Sequence, residues 1–212
     1  YRLLEMGVDV TVLEAGSGPG GTWYWNRYPG CRFDSESYTY GYSFSKELMN
    51  EWNWSEHFSG QPETLRYLEH VVEKFDLRKH MQFGRRVESA VFDEEACLWI
   101  LNLSDGRTLT TRFLFTAIGM LSAPTMPTIP GVEDFKGEAF HTYYWPKEPV
   151  EFAGKKVGVI GTGATAVQLI GEIADKVDEL LDGIETEEVD VSAFDLNIHV
   201  HRLLMDEPFF AA

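Results

Sequence analysis

Cysteine, positive charge and long apolar runs are all scarce in this sequence of 212 residues. Its two cysteines, Cys31 and Cys97, are too few for a disulfide framework and lack CxxC spacing, so we expect a protein of the reducing cytoplasm. Only 18 lysines and arginines stand against 34 acidic residues, and the net charge of −16 argues against nucleic acid or an anionic membrane as a partner. No apolar run approaches the roughly 18 residues that a membrane span needs.

A helix followed by a strand is predicted where the sequence starts. An apolar stretch ends at Gly7, as in a helix stopped by a left-handed glycine, and residues 8–15 then form a predicted buried strand that ends with Glu14. This order is the second half of a nucleotide-binding βαβ unit, whose terminal acid accepts hydrogen bonds from a ribose. A solvent-facing Glu14 is an equally good interpretation. The first strand and its glycine-rich turn are missing, so we expect a fragment.

Three segments of different character follow. Residues 16–60 combine glycine, proline and aromatic residues without a period, and we expect an irregular loop region. Apolar residues at helical spacing predict a helix over 62–80, with a proline in its first turn. Alternating residues predict strands over 82–118, with a hairpin turn at the Asp-Gly pair 105–106.

The second half begins with a proline-rich connector over 119–153. A strand, a turn and a helix are predicted over 155–177. The acidic segment 178–195 is expected to be a solvated helix end and loop, and weak alternation predicts a short strand over 197–203.

The turn after the predicted strand 156–160 has the pattern GxGxxA and opens the predicted helix. Its first glycine permits a tight turn, its second admits a pyrophosphate close to the backbone, and its third small residue lets helix and strand pack. The helix N-terminus favours the negative charge of the pyrophosphate. The candidate residues are Gly161, Thr162, Gly163, Ala164, Thr165 and Ala166. A glycine turn in an ordinary α/β protein is the alternative.

A ribose-binding acid is expected some 20 residues after this turn. Glu185, Glu187 and Glu188 are the candidates, although none follows a clear predicted strand, which is compatible with NADP. A basic residue for the extra phosphate could then be Arg202.

Two further blocks carry a family resemblance. Residues 18–34 (GPGGTWYWNRYPGCRFD) are followed by YSFS, and residues 135–146 (FKGEAFHTYYWP) match the pattern FxGxxxHxxxW(P/D) at every fixed position. The sequence resembles the Baeyer–Villiger monooxygenases over residues 1–177. The second pattern separates that family from its N-hydroxylating and S-oxidising relatives. Taken singly, the aromatic residues could form an ordinary core, Asp34 could be a turn residue and His141 a loop histidine.

The resemblance implies two cofactors, FAD and NADPH. NADPH would bind at the glycine turn. The implied FAD-binding residues are Glu14, Gly20, Gly21, Thr22, Trp23, Trp25, Arg32, Phe33, Asp34, Tyr40 and Val87. Asp34 would hold an arginine beside the flavin, from a segment that this chain lacks, and His141 and Trp145 would couple domain movement to catalysis.

The implied fold is α/β, a flavoprotein with two dinucleotide-binding domains. We expect a partial FAD domain at 1–123, a connector at 124–153 and the start of an NADP domain at 154–212. The implied reaction consumes O₂ and NADPH and converts a small-molecule ketone to an ester or lactone. Because the first FAD turn and the later arginine are missing, we expect the isolated chain to be inactive or weakly binding. The alternatives are a non-catalytic nucleotide-binding or partner-binding remnant, and an N- or S-oxidising flavin monooxygenase.

Overall fold

The structure is a computed structural model that describes residues 1–126, 128, 132–184 and 196–199. In chain order its helices are α1 (Arg2–Glu5), α2 (Thr22–Trp25), α3 (Ser37–Tyr40), α4 (Lys46–Glu51), α5 (Gln61–Lys74) and α6 (Ala164–Ile173). Its strands are β1 (Val12–Leu13), β2 (Met81–Gln82), β3 (Val87–Asp93), β4 (Leu98–Leu103), β5 (Thr108–Thr111), β6 (Glu138–His141), β7 (Lys156–Ile160), β8 (Glu179–Ile184) and β9 (Leu196–His199).

These elements fold into two compact units that interleave along the chain. The first unit comprises Tyr1–Tyr24, Ser43–Trp52 and Pro62–Ser122. The second comprises Trp25–Tyr42, Asn53–Gln61 and the described residues from Ala123 onward. Residues 16–60, which are rich in aromatic side chains and are called the aromatic segment below, are therefore divided between the two units. The domains inferred from the sequence, in contrast, follow one another along the chain without interleaving.

The first unit begins as the sequence predicts. Gly7 has a φ of +74° and its N–H donates to the carbonyl of Leu4, while the N–H of Val8 donates to Leu3. This pair of hydrogen bonds is a Schellman motif, which ends α1 at the predicted glycine.

The strand after α1 differs from the expectation. Only Val12–Leu13 forms a strand, paired in parallel with Met81–Gln82, and both Val8 and Val12 are more than 40% exposed. The prediction of a buried strand over residues 8–15 was therefore wrong. Strands are stabilised by their neighbours, and among the described residues β1 has β2 alone as a partner.

The antiparallel sheet β3–β4–β5 confirms the predicted hairpin. The N–H of Gly106, at a φ of +82°, donates to the carbonyl of Leu103, and β4 contributes the buried Leu101 and Leu103. The strand predicted beyond Thr111 does not form, however. Phe113 and Phe115 are each more than 70% exposed, since in the described chain no strand pairs with this segment.

Helix α5 supplies much of the core of the first unit. It begins at Gln61 with proline in its first turn, as predicted, and buries Tyr67, Val71 and Val72. It ends at Lys74 rather than at residue 80, because Asp76 adopts a left-handed φ of +50° that a continuous helix does not allow.

The second unit contains a parallel sheet in the order β6–β9–β7–β8. Strand β7 buries Val157 and Val159 completely, and α6 buries Leu169 and Ile173. A strand buried on both faces and followed by an amphipathic helix is typical of a parallel α/β sheet, which confirms the expected fold class.

Two further expectations were wrong. Residues 16–60 contain the short helices α2, α3 and α4, where we expected an irregular loop; a helix of one turn is too short to show a period. The acidic segment begins with strand β8, which pairs in parallel with β7. Backbone pairing with the buried strand β7 stabilises β8 despite its two acidic residues, Glu179 and Asp182.

Candidate functional site

The glycine turn lies between β7 and α6, where a pyrophosphate would bind. Gly161 follows β7 with a φ of +115°, a conformation that side chains rarely allow. Gly163 is the extended N-cap residue, and α6 begins at Ala164. The first N–H groups of a helix have no acceptor within it and carry its positive dipole end. The turn therefore has the geometry of a dinucleotide phosphate site.

The third small residue of the motif is Ala166, which is 1% exposed. The absence of a larger side chain there allows α6 to pack closely on the sheet, as the motif predicts.

The candidate residues for the nucleotide ribose and phosphate lie outside the described residues: Glu185, Glu187, Glu188 and Arg202. Strand β8 ends at Ile184, immediately before Glu185 in the sequence.

The first unit holds Glu14 and the glycines that follow it. One carboxylate oxygen of Glu14, Oε1, accepts a hydrogen bond of 2.6 Å from the N–H of Gly16. The Gly16 carbonyl accepts from Gly84, and the Glu14 carbonyl accepts from Arg85. These bonds extend the β1–β2 pairing and hold the acid at the end of the strand.

The backbone that follows this acid has two left-handed positions, both occupied by glycine. Gly20 has a φ of +126°, and a Cβ atom there would lie 2.6 Å from Cδ1 of Leu65. Gly21 has a φ of +52° with open space where a side chain would be. Thr22 then starts α2, and Trp23 is buried. Val87, the remaining flavin candidate of this unit, pairs with Leu103 at the start of β3.

The second unit holds the other flavin candidates. Phe33 is buried and stacks on Tyr40 at a centroid distance of 4.4 Å with an interplanar angle of 4°. Asp34 is exposed. Trp25 stacks on Tyr143 at 6.1 Å.

Arg32 is held by interactions at its side chain and its backbone. Its Nη1 lies 3.2 Å from Oε2 of Glu56, its Nε donates to the carbonyl of Gly30, and its backbone forms an antiparallel bridge with Gly60. These contacts order the chain immediately before Asp34.

His141 and Trp145 are both buried within the second unit. His141, the last residue of β6, is 3% exposed, and its Nδ1 accepts a hydrogen bond of 3.1 Å from the N–H of Tyr143. A neutral ring therefore carries its proton on Nε2. Trp145 packs against Phe140 and Phe152 at centroid distances of 5.7 and 6.3 Å.

Sequence reasoning missed Gln168, a polar residue on α6. Its Oε1 accepts from the hydroxyl of Tyr28 at 2.9 Å and from the N–H of Arg32 at 3.3 Å, and its Nε2 donates to the carbonyl of Arg32 at 2.9 Å. An amide in a mostly apolar helix (ATAVQLIGEI) was the available signal.

Burial changes the ionisation of two neighbouring groups. Desolvation raises the pKa of the Cys31 thiol to about 12 and also raises the pKa of the Tyr28 hydroxyl. Cys31 therefore stays protonated at neutral pH and is not a nucleophile.

The described residues offer neither a metal site nor a membrane-spanning helix. They hold no cluster of three or more histidine, cysteine or acidic residues that could bind a metal ion, and none of their helices is long and apolar enough to cross a membrane.

These features define an α/β dinucleotide-binding protein: a buried parallel strand followed by a glycine turn and a helix, and an acid at the end of another strand. Comparison with known proteins narrows this class. The family model described as flavin-binding monooxygenase-like matches residues 7–187, and the chain belongs to this family.

Individual relatives are similar over most of the chain. An acetone monooxygenase (methyl acetate-forming) of Gordonia sp. (strain TY-5) is 51% identical over 180 residues, which are 85% of this chain and 34% of that protein. A phenazine N-monooxygenase of Lysobacter antibioticus is 47% identical over 166 residues, 78% of this chain and 30% of that protein. The chain therefore spans about a third of the length of these relatives.

A solved structure shows the same fold. The crystal structure of OTEMO in complex with FAD and NADP superposes with a TM-score of 0.81 at 48% identity, over 85% of this chain and 35% of that one.

Proposed function

We propose that this chain is part of a Baeyer–Villiger monooxygenase that uses FAD and NADPH to convert a ketone to an ester or lactone. The observation that carries the proposal is the Gly161 turn at the N-terminus of α6, in the same unit as the exposed Asp34. The family, and the FAD and NADP bound to the similar OTEMO structure, support both cofactors.

The residues of the first unit suit an FAD nucleotide. Glu14 presents a carboxylate at the end of a strand, where a ribose hydroxyl can donate to it. Gly20 and Gly21 keep the following backbone free of side chains, so a phosphate or ribityl group can approach closely. Trp23, Thr22 and the start of β3 at Val87 complete the proposed FAD residues of this unit.

The second unit supplies the proposed residues for the flavin ring and for NADPH. The stacked pair Phe33 and Tyr40 orders the segment that presents Asp34. The Asp34 carboxylate would orient a cationic side chain near the flavin. Residues 161–166 would bind the NADPH pyrophosphate through backbone N–H groups. When bound, FAD supplies the activation of O₂ that the protein side chains lack.

The buried His141 and Trp145 are proposed to transmit domain movement and not to touch the substrate. His141 ends β6 and accepts the Tyr143 N–H, so its ring position is tied to the turn that leads to Trp145. A histidine ring fixed in this way to a neighbouring turn is suited to transmitting a movement of the backbone. It is less suited to act as an acid or base, because such a group must exchange protons with a substrate.

The substrate class is proposed from two observations. The FxGxxxHxxxWP block at 135–146 is intact, and one relative is named an acetone monooxygenase. Another relative is named a phenazine N-monooxygenase, so N-oxidation is the second candidate reaction.

The proposed cellular location is the cytoplasm. This proposal rests on the low cysteine content of the chain, which has two cysteines and no disulfide framework.

An absorbance experiment on the purified 212-residue chain tests the proposal. FAD is added, the excess is removed by gel filtration and the visible spectrum is recorded. A retained flavin band supports the FAD site, and loss of all flavin from a folded sample shows that these residues do not hold FAD by themselves, which is the weak binding expected of the isolated chain.

A second assay addresses the reaction. NADPH and NADH oxidation are measured on the flavin-loaded sample with acetone, cyclohexanone, phenazine or no substrate. Ketone-dependent NADPH consumption with ester or lactone formation supports the proposal. Consumption with phenazine alone favours N-oxidation, and nucleotide binding without turnover favours the remnant.

A further inference from the structure

Gln168 contacts residues 28–34, the segment that includes the flavin candidates Arg32, Phe33 and Asp34. Its side chain makes the kind of backbone hydrogen bonds that a neighbouring β-strand would make. Its side-chain amide donates to the carbonyl of Arg32 and accepts from the N–H of the same residue. It thereby satisfies both backbone polar groups of one residue, and the Tyr28 hydroxyl adds a third hydrogen bond to Oε1. Part-buried hydrogen bonds of this kind restrict local opening of the backbone.

The same segment is also fixed by shape and by the opposite side. Gly30 touches the backbone of Gln168, with no space for a side chain between them. The carbonyl of Cys31 accepts a hydrogen bond of 2.7 Å from the N–H of Gln61. Nη2 of Arg32 lies 3.9 Å from Oε1 of Glu172, one turn further along α6.

Gln168 is close in sequence to the glycine turn, and through Arg32 it is linked to the segment that carries Asp34. It is five residues after Gly163, the N-cap of α6 and part of the glycine turn. Its partner Arg32 is two residues before Asp34, with only the buried Phe33 between them. A helix moves as a rigid element, so a shift or ordering of α6 reaches Arg32 directly.

We propose that Gln168 is a positioning residue that clamps Arg32 to α6 and so couples occupation of the glycine turn to the position of Asp34. The coupling rests on the proposed function, because it requires NADP to bind at the turn; the clamp itself does not. Since coupling is reciprocal, order at residues 28–34 also favours nucleotide binding.

Amide hydrogen exchange of residues 28–34 tests the clamp without a cofactor. Gln168→Leu removes all three hydrogen bonds with little change in volume, and we expect exchange of this segment to accelerate about tenfold. Gln168→Glu keeps the acceptor and loses the donor, so we expect a smaller acceleration. Val167→Leu is the matched control, since Val167 is 70% exposed on the same helix.

The outcomes of this first test are distinct. Unchanged exchange in both Gln168 variants would overturn the clamp. If Gln168→Leu does not fold, the decision passes to Gln168→Glu, whose exchange must exceed that of the control. Acceleration throughout the chain, including β3–β5, would show a general loss of stability and would also overturn the proposal.

Addition of NADP⁺ tests the coupling. Equilibrium dialysis measures binding, and exchange is repeated at saturation. We expect NADP⁺ to slow exchange of residues 28–34 in the wild-type chain and in Val167→Leu, with little effect in Gln168→Leu. Binding without any change at residues 28–34 would overturn the coupling alone. Failure of the wild-type chain to bind NADP⁺ would overturn the proposed function and the coupling together, while the clamp would still be decided by the cofactor-free exchange.

Discussion

Gly30 lies so close to Gln168 that a Cβ atom at Gly30 would be 2.4 Å from the Gln168 carbonyl oxygen. Gly30 also has a φ of +77°, which disfavours any side chain. Glycine is therefore required here for two independent reasons, one of conformation and one of space.

Replacement of Gly30 separates these two reasons. We expect Gly30→Ala to lower the free energy of unfolding by about 2–4 kcal/mol, the sum of left-handed strain and overpacking against α6. Gly154→Ala is the control: Gly154 has a φ of +76° with nothing within 4 Å of the added Cβ, so it experiences the strain alone. Urea unfolding followed by circular dichroism measures both. Equal losses in the two variants would contradict the close contact.

The third small residue of the glycine turn is expected to be sensitive to size. Ala166→Leu places a large side chain where the exposed fraction is 1%, so we expect a loss of about 1–3 kcal/mol in the free energy of unfolding. Val167→Leu, at an exposed position, should change it by less than about 0.5 kcal/mol. A tolerated leucine at residue 166 would show that α6 does not pack closely on the sheet.

The buried thiol predicts a loss of stability at alkaline pH. The pKa of Cys31 rises from about 9 to about 12 on folding, so the unfolded chain loses this proton first. The buried Cys31 thiol therefore contributes fully to the free energy of unfolding below pH 9, and this contribution is lost as pH rises from 9 to 12. Between pH 8 and 10 we expect a loss of about 1 kcal/mol that Cys31→Ala does not show.

The control for this measurement is Cys97→Ala, because Cys97 is exposed. Urea unfolding of the three proteins at pH 8, 9 and 10 gives the comparison. A pH dependence identical in the wild-type chain and Cys31→Ala would contradict the burial of the thiol.

The carboxylate of Glu14 is expected to contribute to flavin affinity. Glu14→Gln keeps an oxygen that can accept from the Gly16 N–H but replaces a charge-assisted hydrogen bond to the ribose by a neutral one. We expect FAD affinity to fall about tenfold, with thermal stability nearly unchanged. Fluorescence titration with FAD measures the affinity, and Glu88→Gln, at an exposed position, is the control. Unaltered affinity in Glu14→Gln would remove this residue from the proposed site.

Local signals predicted several elements well. The glycine after α1, the proline in the first turn of α5, the Asp-Gly turn at 105–106 and the glycine turn before α6 all occupy their expected places. Each depends on a backbone preference of one or two residues, which does not require knowledge of distant parts of the chain.

Other elements depended on partners that a sequence pattern does not reveal. Residues 8–15 and 113–118 have the composition of strands, yet among the described residues only β1 finds a partner there. Strand β8 lies in the acidic segment that was not expected to form a strand, and it forms one because β7 pairs with it. Whether a segment forms a strand therefore depends on hydrogen bonding to a neighbouring strand as much as on its own side chains.

The sequence by itself determined the α/β class, the dinucleotide turn and the family, because these depend on residue types at short, fixed spacing. Only the tertiary structure decided that the aromatic segment divides between two units and that Gln168 clamps Arg32, 136 residues away in the chain. Contacts over such a separation depend on how elements pack, and packing is a property of the whole fold that no local pattern encodes.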